Sequence, residues 1–181
     1  MAKFPKANVE SVKKLPDVGL YEIVIPRGEE PIIIYTDDEF RFMLQGNLVE
    51  TKNMVDLTEK TRNVLTRIDF ATLPLDRAIK KVKGNGARKI VVCSDPDCPF
   101  CKRIEQEFEK MTGLTIYTFL FPIEQLHPKA PDRAKAIWCS PNRLKAWEDY
   151  MLRATAPTAK GDCTNPVDEL VALGRKYGIN G

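Results

Sequence analysis

Histidine occurs once in this 181-residue chain, as His127 between Leu126 and Pro128. A lone histidine in a proline-containing loop reads as a surface residue, not as a catalytic base or a ligand. Long apolar runs are absent. Nothing approaches the ~18 residues of a membrane span. Charge of one sign is also in short supply. The net charge is +3, with basic residues scattered among acids, which is too little to argue for a nucleic-acid partner. Behind the charged start Met1-Ala2-Lys3-Phe4-Pro5-Lys6 there is no apolar core, so that stretch is not a signal peptide as it stands. Either the protein is cytosolic or a leader has been removed. Hydrophobic content of 43% and charged content of 29% are ordinary for a globular protein. The length allows one or two domains.

Cysteine is scarce but organised. The five are Cys93, Cys98, Cys101, Cys139 and Cys163, an odd number, so at least one is unpaired or shared. Cys98 and Cys101 are two residues apart inside Ser94-Asp95-Pro96-Asp97-Cys98-Pro99-Phe100-Cys101-Lys102-Arg103. The apolar run Lys89-Ile90-Val91-Val92-Cys93 precedes them. Phe100, Ile104, Phe108 and Met111 follow at helical spacing, and Cys101 joins that face. Lys102, Arg103, Glu105, Gln106, Glu109 and Lys110 take the other. The pair therefore sits where a strand becomes a helix.

Chemistry follows from that placement. Pro99 suits the first helical position, where its missing N–H has no partner to lose. Cys98 is then the N-cap, with Cys101 at the third helical position. A sulfur at the N-cap faces the free N–H groups of the first turn, and the helix dipole favours its thiolate, the reactive form. Cys98 is expected to attack a disulfide and Cys101 to resolve the mixed disulfide. Two readings compete with this redox dithiol: half of a zinc site, or two unreactive core thiols. Asp95 and Asp97 read as turn caps. The alternatives for them are a like-charge effect on Cys98 or a contact to a substrate amide. Cys93, in the apolar strand, reads as a buried and inert thiol. Cys139 and Cys163 read as a disulfide closing a long loop, which implies an oxidising compartment. The competing reading joins them to Cys98 and Cys101 as a four-cysteine zinc site, although no second CxxC is present.

Strand and turn signals fill the first ~55 residues: Gly19–Ile25, Pro31–Thr36, Phe40–Gly46 and Leu48–Thr51. Such a module is too small to bury much core alone, and an edge strand of a second copy is a cheap partner. Asn53 to Ile68 has moderate helical character. Ala78–Val82 and Arg88–Val92 flank Lys83-Gly84-Asn85-Gly86-Ala87 and read as a hairpin; a short helix over Leu75–Lys83 competes. Leu114–Phe121 reads as a strand covered on both faces, which completes a βαβ unit through the cysteine helix. Helices are expected over Asp132–Cys139, after Ser140-Pro141, and from Asn165-Pro166 to Gly178.

The segment Cys93 to Lys102, with Lys135-Ala136-Ile137-Trp138-Cys139, Ala146-Trp147 and Cys163, resembles the bacterial periplasmic disulfide isomerases DsbC and DsbG. Gly19-Leu20-Tyr21, Ile34-Tyr35-Thr36-Asp37-Asp38 and Leu44-Gln45-Gly46 resemble that family's dimerisation domain. The resemblance implies an α+β fold assembled as a V-shaped homodimer. An antiparallel-β dimerisation domain would span residues 1–55 and a helical linker 56–73. A thioredoxin-like catalytic domain would span 74–181, with a helical insertion at about 123–165. By motif position Cys98 and Cys101 are the catalytic pair, and Cys139 and Cys163 the structural disulfide. No cofactor and no metal are implied. The partners would be misfolded disulfide-containing clients, received in an uncharged cleft of the periplasm, and a membrane thiol reductase that keeps the pair reduced.

Two departures stand out. Cys93 occupies a place where that family commonly has an aromatic residue. The chain also stops at Tyr177-Gly178-Ile179-Asn180-Gly181, where a Thr-Pro with a cis peptide, two strands and a helix are expected to follow. The sequence is therefore expected to be part of a longer protein. The competing functions are a chaperone that holds unfolded chains without redox turnover and a zinc-stabilised scaffold.

Overall fold

The computed structural model describes residues 8–28 and 30–179. Met1–Lys6 and the closing Asn180-Gly181 lie outside the described residues. The chain divides into two compact units, one through Phe70 and one from Ala71.

The first unit carries an antiparallel sheet in sequence order: β1 (Ser11–Leu15), β2 (Leu20–Ile25), β3 (Ile32–Thr36) and β4 (Met43–Gln45). A two-stranded ribbon follows, β5 (Val49–Glu50) with β6 (Val55–Asp56), and then α1 (Leu57–Leu65). Val24, Ile33 and Tyr35 form its small core, with Leu15, Leu20, Leu48 and Leu65 packed against them. Asp56 caps α1 by accepting the Glu59 N–H at 2.8 Å. Buried polar groups join the helix to the sheet. Tyr35 Oη lies 2.7 Å from Thr58 Oγ1, and Thr61 donates to the buried Glu22 carboxylate at 3.0 Å.

Two strands here differ from the sequence expectation. β1 has four exposed residues out of five, so no apolar alternation announces it. The Phe40–Gly46 strand shrinks to Met43–Gln45 because Asp37 intervenes. Its carboxylate accepts the Arg41 and Phe42 N–H groups at 2.7 and 3.1 Å, which takes both out of the ladder.

In the second unit a short 3₁₀ turn (Leu75–Arg77) leads to β7 (Ile79–Lys83) and β8 (Arg88–Ser94). Then come α2 (Pro99–Lys110), β9 (Leu114–Leu120), α3 (Ala130–Trp138), α4 (Arg143–Arg153) and α5 (Val167–Lys176). The sheet order is β7-β9-β8. The Asn-Gly turn therefore does not close a hairpin: β7 and β8 are separated by β9, antiparallel to the first and parallel to the second. The reason is burial. Every residue of β9 is buried, so it takes the centre of the sheet, and the β8–α2–β9 crossover returns it alongside β8. Gly86 suits the turn, with φ of +63° and no room for a Cβ beside Thr115 and Val82.

One core joins Ile79 and Leu120 to Trp138, Trp147, Tyr150, Met151 and Val167 from the three later helices. Phe108 of α2 packs on Leu114 and Ile116 in a second cluster. Gly174 of α5 lies so close to the Phe121 ring that any side chain would overlap it. Among the described residues no helix is long and apolar enough to cross a membrane.

Candidate redox site

The site is built where β8 ends. The Cys98 N–H donates to Asp95 O at 3.3 Å, closing a turn through Pro96, and Lys102 N–H donates to Cys98 O at 3.1 Å, opening α2. Cys98 is the N-cap residue and Pro99 starts the helix. One detail differs from expectation: the Cys98 side chain makes no capping hydrogen bond. Its sulfur is instead a neighbour of Cys101 and helps to raise the pKa of that thiol. Both sulfurs are half-buried.

The sulfurs differ in surroundings. Burial raises the pKa of Cys101, and the neighbouring Cys98 adds to this, while hydrogen bonds from the Asp95 main chain and the Ser94 hydroxyl pull the other way. Burial alone pushes the Cys93 thiol up to about 11, which makes it a poor nucleophile. Cys139 and Cys163 are joined as a disulfide, with Cα atoms 5.7 Å apart. Both sulfurs are thereby withdrawn from the four-cysteine zinc arrangement.

The two aspartates do more than cap a turn. Asp97 accepts from Tyr150 Oη at 2.6 Å and from the Arg133 guanidinium. Burial would raise its pKa, but those two hydrogen bonds outweigh it and hold the carboxyl below the usual range. Burial and then the bond to Asp97 push the Tyr150 phenol up to about 12. Lys102 and Arg133 lie 4.7 and 4.9 Å from the Tyr150 ring centre, a cation–π pair. Asp95 is bound to His127, which is half-buried and not a free surface residue.

The inward face of α2 also differs from the sequence reading. Phe100 is 67% exposed, and Ile104 and Met111 are exposed with it. The inward-facing residues at helical spacing are half-buried Cys101 and buried Glu105 and Phe108. Glu105 is only 2% exposed, and burial raises its pKa above the ordinary carboxylate range. The Trp147 indole tempers that rise by proximity, although among the described residues its N–H makes no well-formed hydrogen bond. Lys81 tempers it as well, while forming ion pairs of its own with Glu148 at 2.7 Å and with Glu109.

The sign follows from linkage. A raised carboxyl favours folding below the unfolded pKa of ~4.3, and that contribution is lost as pH rises through the folded value. Glu105→Gln should therefore stabilise the protein at pH 7 by about 1 kcal/mol, with the difference fading near pH 4. Urea midpoints at the two pH values check this, and a less stable variant at pH 7 contradicts it.

A family model described as a thioredoxin-like domain matches residues 75–181. The disulfide bond isomerase protein N-terminal domain matches residues 1–59. The chain belongs to the DsbC/DsbG family of thiol:disulfide interchange proteins. Its α+β fold is thus a thioredoxin-like domain preceded by that family's N-terminal domain.

Over 179 residues the chain is 36% identical to a Bordetella pertussis protein named "Probable thiol:disulfide interchange protein DsbC", covering 99% of this chain and 61% of that one. It is 21% identical over 173 residues to the thiol:disulfide interchange protein DsbC of Escherichia coli K12, covering 94% and 69%. A crystal structure of a disulfide interchange protein from Neisseria gonorrhoeae matches with 53% identity and a TM-score of 0.58, over 60% of this chain and 78% of that one. The chain thus spans about three fifths of the length of its Bordetella relative.

Proposed function

We propose that the protein to which this chain belongs is a periplasmic thiol–disulfide isomerase and reductase whose catalytic pair is Cys98 and Cys101. The observation that carries this reading is the placement of two half-buried thiols at the start of a helix, one at its N-cap position and the other one turn inside. Cys98 thiolate attacks one sulfur of a wrong client disulfide. A Cys98–client disulfide forms and the other client sulfur leaves as a thiolate. A second client thiol then displaces Cys98, which gives a rearranged client and regenerates the dithiol. Alternatively Cys101 attacks Cys98, releases the client thiol and leaves a Cys98–Cys101 disulfide. The client has then gained two electrons, and a thiol reductase must restore the protein.

Two surfaces support the rest of the reading. The outer edge of β4 has no neighbour in the sheet among the described residues, and Phe42 on its approach is 72% exposed. An open, apolar edge suits pairing with a second copy of the N-terminal unit. Phe100, between the two cysteines, offers an unfolded client an apolar contact beside the reactive sulfur. The same exposed Phe100 and Ile104 favour a second reading, a holdase without redox turnover.

Refolding of a scrambled-disulfide protein in glutathione buffer separates the two. The isomerase reading expects the full-length protein to speed recovery of native pairings and to sediment as a dimer. Suppressed aggregation with no gain in correct pairing selects the holdase, and a monomer at micromolar concentration removes the dimer.

A further inference from the structure

We propose that Lys102 and Arg103 are specificity residues that direct Cys98 to client disulfides lying beside acidic side chains. The inference rests on the redox reading above and names the clients it favours. Lys102 follows the dithiol directly, and its N–H donates to Cys98 O at 3.1 Å, one turn along α2. Its ammonium is held in place. It lies 4.7 Å from the centre of the Tyr150 ring, and Tyr150 Oη donates at 2.6 Å to Asp97, the residue before Cys98. Arg103 is exposed, with its guanidinium 5.5 Å from the centre of the ring of Phe100, between the two cysteines. Both cations are therefore held on aromatic rings that are tied to the dithiol turn.

The local charge does not cancel. Arg133 already pairs with Asp97. Asp95 is 2% exposed and bound to His127, and Glu105 is equally buried. Further along α2, Glu107 pairs with Lys110 at 2.6 Å and Glu109 with Lys81. Glu148 of α4 meets Lys81 at 2.7 Å. Among the described residues Lys102 and Arg103 make ring contacts but no ion pair. Lys102, Arg103 and Arg133 against Asp97 leave an excess of two positive charges beside Cys98. No acid occupies the first turn of α2, where the helix dipole would favour one.

An approaching disulfide meets this charge before it reaches the sulfur. Opposite charge raises its local concentration and the rate of encounter, and salt screens the effect. Phe100 offers apolar contact to any client, and the two cations add the preference. The exchange itself is unaltered. The Cys98 thiolate bonds to one client sulfur, the client S–S bond breaks, and the other sulfur leaves as a thiolate, so the number of disulfides is conserved.

The test uses the full-length protein carrying Cys101→Ser, so that the adduct on Cys98 persists, and short peptides joined as disulfide dimers through one cysteine. That cysteine is flanked by glutamates, by glutamines or by lysines. Each rate is divided by that of mercaptoethanol with the same peptide, which removes the peptide's intrinsic reactivity. The glutamate peptide should react about tenfold faster than the lysine peptide at an ionic strength of ~10 mM, and within about twofold of it near ~1 M. Lys102→Gln or Arg103→Gln should each cut that ratio about twofold to threefold, and the double variant should bring it close to one. A merely structural role, or an effect on the Cys98 thiolate, would slow all three peptides alike and leave the ratio unmoved. A ratio near one with both cations present, or a tenfold ratio that survives in the double variant, overturns the inference while the redox reading stands. A protein that forms no adduct with any peptide removes the redox reading itself, and this inference with it.

Discussion

A Cys101→Ser variant should become covalently trapped on its client, whereas Cys98→Ser should form no adduct at all. The asymmetry comes from the two positions. Cys98 stands at the mouth of α2, before its first turn, and Cys101 lies inside the helix against the Trp147 core. Removing Cys101 leaves the attacking sulfur but deletes the group that resolves the mixed disulfide, so the adduct accumulates wherever a client thiol does not release it. Removing Cys98 leaves a thiol whose pKa burial holds up, and it attacks poorly. With a reduced variant and an excess of scrambled client, trapping should approach one client per Cys101→Ser chain. Turnover by Cys98→Ser should fall by roughly a hundredfold or more, since it removes the nucleophile itself. Non-reducing electrophoresis and mass spectrometry read both. Equal adducts from the two variants would mean that the roles are not divided between the sulfurs as proposed.

The second large effect concerns stability. Replacing Cys139 and Cys163 by alanine should cost ~3 kcal/mol, because the bond closes a loop with a sequence separation of 24. For a chain of this size that is a fall in Tm of about 6 to 12 °C. The location adds to the consequence. Cys139 ends α3 and packs on the Trp138–Trp147 core, and Cys163 stands shortly before α5. The bond therefore pins the loop between α4 and α5 back onto the helices that present Arg133 and Tyr150 to Asp97. Denaturant unfolding of oxidised native protein against the double variant measures it. A loss below about 1 kcal/mol would mean that the loop is held by its other contacts and that the disulfide is dispensable.

Much of the second unit was legible because its signals are local. A proline after Cys98 marks a helix start, Leu114–Phe121 is too apolar to be anything but central, and Asn165-Pro166 opens the last helix. The hairpin reading failed because a turn signal fixes a reversal of the chain but not which strands become neighbours; burial of β9 decides that. Glu105 was assigned to solvent by its charge. Its spacing from Cys101 and Phe108 already put it on their face, and that spacing was the better guide.

His127 was the hardest to read. Its partner Asp95 is 32 positions away, across a strand and a helix, and nothing in either local sequence announces the pair. In the first unit, β1 escaped notice because an edge strand with exposed lysines carries no apolar alternation.

The most direct measurement is the rate at which iodoacetamide labels each cysteine of the reduced native protein at neutral pH. Cys98 should react roughly tenfold faster than an ordinary exposed thiol, ahead of Cys101 and Cys93, and its labelling should stop once glutathione disulfide has closed the pair. Labelling of Cys98 no faster than a free thiol, in a protein whose two sulfurs never join, would contradict the account.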